Sequence, residues 1–344
     1  MDMPFDPQDL ERAERFLAAG ELETALPLFE ELASAVGEYA QEHCQATDAV
    51  QWFSFADAFE RLAYRRVERD PRTLNQVPAP FDVVYAELAF GYIRLQRWEP
   101  ARDALMQAVR WNPMNCNYRL DLAEVFRALG DVQEWAALSH SVLDRASDPR
   151  SLARAYANLG QFFLDASAGA QADGEEDADD ESDAGLSESD AQAAALAAAG
   201  CERLASRLAG DDPRVAKLTA RMGDEHSELA ETTDEEALGT LEQQGIATSP
   251  NAEVAICLLM CASDAAASGD RNEAARYTLR ARDLIGQEAC AALIQLIHES
   301  DAELAQERAG SNGVDAKSVA PEEETASKGP VPFGSSDSHA AKEA

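Results

Sequence analysis

Lysine is almost missing from this 344-residue chain. It occurs at Lys217, Lys317, Lys328 and Lys342, so arginine carries nearly all the positive charge. The 29 basic residues face 64 acidic ones, for a formal net charge of −35. A surface of that sign repels phosphate backbones and anionic headgroups, so no nucleic acid and no membrane partner is expected. Aromatic residues are also few, 7% against 46% apolar overall. Alanine makes up much of the difference, which favours close helix–helix packing over sheets. Long apolar runs are lacking. The longest, "AEVAICLLMCASDAAA", is interrupted by Asp264 and is too short to span a bilayer. The start, "MDMPFDPQDLERAERF", has no apolar signal core, and a cytoplasmic location is expected. Six scattered cysteines do not make a disulfide framework.

Signatures of chemistry are missing too. There is no P-loop, no GxGxxG, no GxSxG and no HExxH, and the five histidines are dispersed. Cys257 and Cys261 lie one helical turn apart and could form a metal site with Cys290 and His298. Structural zinc sites usually carry CxxC-type spacing, so thiols packed in an alanine-rich core are the expected reading. His43 and Cys44 are adjacent, and adjacent side chains on a helix point about 100° apart, which is unsuited to a catalytic pair. Acidic pairs such as Glu30–Glu31 sit in solvated runs that cannot separate their pKa values for acid–base work. No catalytic residue, cofactor or metal is expected. The tryptophans, Trp52, Trp98, Trp111 and Trp135, read as core or hairpin-edge residues.

What the chain does have is helical periodicity. "ERAERFLAAGELETALPLFEELASAVG", which covers most of the segment 5–36, is apolar at helical spacing on both sides of Gly20, which marks a turn. Residues 39–69 read as another helical pair. Pro71, Pro78 and Pro80 then mark a connector. "DVVYAELAFGYIRLQRWEPARDALMQAVRWNPMN", 82–115, is the clearest unit: a helix, a turn at "LQRWEP", a second helix and a stop at Pro113.

Tyr85, Leu88, Ala89, Tyr92, Ala101, Leu105, Ala108 and Pro113 of this unit fill the eight places of a helical-hairpin pattern, so it resembles the tetratricopeptide repeat (TPR). Small residues let the two helices approach closely, and large ones fill the gap between hairpins. A neighbouring unit starts near Cys116, where Leu122, Ala123, Phe126 and Gly130 fit but Arg119 and Trp135 depart. A third begins near Ala153, where Tyr156, Leu159, Gly160 and Phe163 fit and the second helix is missing or displaced. Phe16, Gly20, Ala25 and Phe29 fit in part.

The expected fold is therefore all-α, a TPR-like α-solenoid of antiparallel helical hairpins in two halves. The N-terminal repeats cover 1–169. Residues 170–190, with the basic-free stretch "DGEEDADDESDAGLSESD", read as an acidic disordered linker. Helical hairpins, TPR-like in part, cover 191–307, and 308–344 reads as a disordered tail.

The resemblance implies a concave groove lined by the first helix of each unit, binding a peptide or a partner helix. The repeat phase places Phe90, Ile93 and Arg94 there from the clear unit, Asn117, Leu120 and Arg127 from the next, and Arg154 and Gln161 from the third. One TPR subclass clamps a C-terminal carboxylate with Lys and Asn. Those places hold Ala86 and Phe90 here, so chaperone binding is not expected. The expected function is a non-catalytic scaffold or adaptor that binds another protein or peptide. Regulatory peptide sensing is the alternative, and an enzyme in the C-terminal half is a further one. The acidic segment is either a spacer or a tethered competitor for Arg94, Arg127 and Arg154.

Overall fold

The computed structural model describes residues 3–173 and 187–299. The chain divides into two units, Met1–Leu293 and Ile294–Ala344. The second is described over 294–299, which are helical.

The first unit opens with α1 (Pro7–Ala18) and α2 (Leu22–His43), then β1 (Val50–Phe53), α3 (Ala58–Glu68) and β2 (Thr73–Gln76). Three helix pairs follow: α4 (Phe81–Arg94) with α5 (Trp98–Trp111), α6 (Cys116–Ala128) with α7 (Val132–Leu143), and α8 (Pro149–Asp173) with α9 (Glu188–Ala209). After them come α10 (Pro213–Glu225), α11 (Asp234–Gln243), α12 (Ala252–Ala267) and α13 (Arg271–Ile285). The described part of the chain is thus mostly helical, and none of its helices is long and apolar enough to cross a membrane.

Five helix ends use one backbone device; one is the end of α11, where the Ile246 N–H donates to the Leu241 carbonyl past Gly245 at φ 75°, and the other four lead directly into the next helix. The N–H groups of Glu21, Arg97, Asp131 and Asp270 donate to the carbonyls of Phe16, Tyr92, Phe126 and Ala265, five positions earlier. Just before each donor stands Gly20, Gln96, Gly130 or Gly269, with φ of 78°, 55°, 87° and 87°. This is a helix C-cap closed by a left-handed residue. Glycine takes that conformation freely, whereas Gln96 carries a steric cost of about 1 kcal/mol. The shared turn brings Ala25, Ala101, Trp135 and Ala274 to the same place in the second helix of each pair.

In the clear unit Leu88, Ala89, Tyr92, Ala101, Leu105 and Ala108 are buried. Tyr85 is half-buried rather than buried, because its hydroxyl reaches past α4 to donate to the Ala33 carbonyl at 3.3 Å. Tyr92 similarly donates to Glu30 at 2.7 Å, so both tyrosines tie α4 to α2. Ala101 is fully buried where α4 and α5 meet. Ala101→Leu is expected to overpack that contact and cost about 1–3 kcal/mol. An unchanged melting temperature would show that the two helices do not meet at Ala101.

Residues 39–69 are not a helical pair. Helix α2 runs on to His43, and Val50–Phe53 pairs in parallel with Thr73–Gln76, Val50 opposite Thr73 and Phe53 opposite Gln76. Parallel strands cannot be joined by a tight turn, and α3 makes the crossover. Phe53, Phe55 and Tyr64 fill the space beneath, with the two phenylalanine rings stacked at 4.7 Å. The expected all-α fold therefore carries a small two-stranded insert.

The expected division into halves is corrected as well. Helices α8 and α9 pack together along their length: Arg150 meets Asp211 at 3.0 Å, and Gly160 abuts Cys201 further along. These contacts run in opposite directions along the two helices. Helix α9 thus packs on α8, and the acidic stretch falls between them in the sequence. Residues 170–173 extend α8, and Ser187 and Asp190 form a capping box that starts α9, so the ends of the expected linker are helical. Residues 174–186 and 300–344, with the expected tail, lie outside the described residues. Helix α10 packs on α8 and α9, and α11 packs on α9. Helix α12 returns to α3, where Arg66 pairs with Glu253 at 3.3 Å and the Phe59 and Tyr277 rings lie 6.4 Å apart.

Candidate partner-binding groove

Helix α4 turns Phe90 outward, 45% exposed, one helical turn before the capped end that holds Arg94. Ile93 and Trp98, on either side of the turn, are half-buried. Helix α6 contributes Asp121, Glu124, Val125, Arg127 and Ala128. These residues, with Arg214 from the first turn of α10, line a groove of about 650 Å³. The lining mixes apolar side chains (Phe90, Ile93, Trp98, Val125, Ala128) with charged ones (Asp121, Glu124, Arg127, Arg214).

The groove residues expected from the sequence separate into three groups. Phe90, Ile93 and Arg127 line the groove, and Arg94 is exposed beside it with its guanidinium 5.9 Å from the Phe90 ring. Arg127 stacks on the buried Trp135 at 4.7 Å and lies 3.9 Å from Glu124. Asn117 and Arg154 stand at the groove's edge and are engaged with each other. Arg154 donates to Asn117 at 3.4 Å and pairs with Asp121 at 2.9 Å, leaving its side chain 14% exposed.

Leu120 and Gln161 are the corrections, because both are buried in the protein's own packing. Helix α6 is covered by α8 as well as by α5 and α7, and α8 is covered by α9 and α10. A face that would be concave and open in a short repeat array is closed here by later helices. Arg214 was not indicated by the sequence, since no repeat phase reaches α10.

Residues 174–186 of the acidic segment, and with them its expected competition for Arg94, Arg127 and Arg154, lie outside the described residues.

Departures from the repeat pattern have local explanations. The Arg119 guanidinium donates to the Pro113 carbonyl at 3.0 Å, and burial lowers its pKa to about 10. The six cysteines are free and buried. Burial raises the Cys257 and Cys261 thiols to about 12 and about 11. Among the described residues, no group of three or more His, Cys, Asp or Glu side chains is placed to hold a metal ion.

A buried polar junction fastens the insert to the helix pairs. Asn112 donates its amide to Glu60 at 2.9 Å and to Asp82 at 3.2 Å, and Asp82 also accepts from Ser54 at 2.5 Å and Tyr118 at 3.2 Å. Burial raises the Glu60 carboxyl; the Ala56 N–H and the Asn112 amide oppose the shift, and the Asp57 and Asp82 charges add to it. A carboxyl raised in the folded state binds its proton more tightly there than when unfolded. Its contribution to stability is complete below the unfolded pKa and is lost as pH rises through the folded value. Glu60→Gln keeps both accepted hydrogen bonds without the charge. Its melting temperature is expected to gain on the wild type as pH rises above the unfolded carboxyl value, and to level off once the folded carboxyl has lost its proton. A difference independent of pH would contradict this.

Compared with known proteins, the chain matches no protein-family model, and no curated protein is similar to it at a significant level.

Proposed function

We propose that this chain is a non-catalytic scaffold or adaptor, built as a TPR-like solenoid of antiparallel hairpins, that binds another protein through the groove on α4, α6 and α10. The repeated turn at Gly20, Gln96, Gly130 and Gly269 supports the solenoid reading, because one cap geometry sets one direction of approach for each following helix. The observation that carries the binding reading is Phe90. A large aromatic side chain nearly half exposed, beside Ile93 and Trp98 in a groove of about 650 Å³, is apolar surface that a partner would remove from water.

The test is affinity purification from the native cell followed by mass spectrometry, with wild type and Phe90→Asp side by side. The wild type is expected to retain a partner that the variant loses at equal folded concentration. A partner set unaffected by the substitution would move the binding surface elsewhere.

A further inference from the structure

The junction that fastens the insert to the helix pairs brings two carboxylates to one amide. The Asn112 nitrogen lies 2.9 Å from Glu60 Oε2 and 3.2 Å from Asp82 Oδ2. Glu60 comes from α3, inside the insert, and Asp82 from the first turn of α4. Asp82 and Asn112 are buried, and Glu60 is half-buried. Among the described residues neither carboxylate forms an ion pair with a basic side chain. Two negative charges within reach of one nitrogen, shielded from water and without a cation, disfavour each other.

The hydrogen bonds divide the two groups. Asp82 accepts from Ser54 at Oδ1 and from Asn112 and Tyr118 at Oδ2, and it sits where the helix N-terminus favours a negative charge. Glu60 accepts from the Ala56 N–H at 2.6 Å and from Asn112, both at Oε2. Its Oε1 accepts nothing, so a proton there leaves every bond of the junction in place. The other titratable groups facing Glu60 supply no counter-charge. Asp57, which caps the same helix, is itself acidic and is turned to Arg276 and Arg280 at 3.5 and 3.8 Å. On α6, burial raises the Tyr118 hydroxyl and also the Cys116 thiol, the thiol to about 12, and both stay neutral.

We propose that Glu60 carries a proton on Oε1 in the folded chain, and that this proton latches the insert, residues 50–76, against α4 and α5. Once the proton has left for solvent, Glu60 and Asp82 are both charged beside one amide, and the repulsion is relieved when α3 parts from α4 with the strands it connects. The chain then opens at the insert while α8 and α9 stay packed. Opening returns Glu60 to water, where it gives up its proton at the ordinary carboxyl value. Between that value and the higher folded one, the fraction open rises about tenfold per pH unit; above the folded value it is constant.

The test is amide hydrogen exchange of the full chain, read by mass spectrometry over a pH series that starts at the ordinary carboxyl value. Rates are corrected for the intrinsic pH dependence of exchange, and circular dichroism checks that Glu60→Gln is folded. Peptides from 50–76 are compared with peptides from 195–209 in α9, in wild type and in Glu60→Gln. In the wild type, protection of the insert is expected to fall about tenfold per pH unit and then level off, while 195–209 keeps its protection. In Glu60→Gln, which retains both bonds accepted at position 60, the fall at the insert is expected to vanish and 195–209 to match the wild type. Insert protection that ignores pH in the wild type, that falls equally in Glu60→Gln, or that falls in step with 195–209 would overturn the latch.

Discussion

Leu120→Ala is expected to lower the unfolding free energy by about 3 kcal/mol, and Phe90→Ala by less than about 1 kcal/mol. The repeat phase puts both side chains on one lining surface, and the structure separates them. Leu120 is fully buried on α6, which is covered by α5, α7 and α8, so truncation removes methyl groups from close packing and leaves a cavity. Phe90 is 45% exposed, and water already covers much of the surface that alanine would give up. Urea denaturation of the two variants decides the matter. Similar losses would mean that Leu120 faces the groove or that Phe90 is covered.

Gly200→Val is expected to cost about 3 kcal/mol, while Gly223→Ala should be neutral or gain up to about 1 kcal/mol. A methyl group on Gly200 would lie 2.8 Å from the Ala237 carbonyl oxygen and 2.7 Å from a Leu241 methyl, and the backbone oxygen cannot swing aside. At Gly223, inside α10, the same methyl meets nothing within 4 Å, so the usual helical preference for alanine applies. The readout also tests the packing of the first unit. All four tryptophans lie between residues 52 and 135. Helix α9 reaches them through α8, which packs on α6 and α7. The tryptophan-monitored melt of Gly200→Val should therefore fall together with the circular-dichroism melt. A tryptophan transition that stays in place would restore two independent halves.

The helices α4 and α5 were legible because their apolar places recur at helical spacing and end at turn residues. The turn at Gly20 was legible because glycine marks a left-handed cap, whereas the same cap at Gln96 is disguised by a side chain. The strands were not legible. Four residues give too little alternation to show period two, and "VQWF" reads equally well as part of a helix. The pairing of α8 with α9 was hidden by the acidic stretch, which breaks the periodicity that would have joined them. Leu120 and Gln161 were misplaced for the same reason. The helices that cover them come from beyond the break, and so does Arg214, which lines the groove from α10.

The groove is the surface proposed to meet a partner. A photo-crosslinking amino acid at position 94 or 128, both exposed beside the groove, and at position 107, exposed on α5 outside the groove lining, tests it directly in the native cell. The same crosslinked protein from 94 and 128, and none from 107, is the expected result. Equal capture from all three positions, or capture from 107 alone, would contradict it.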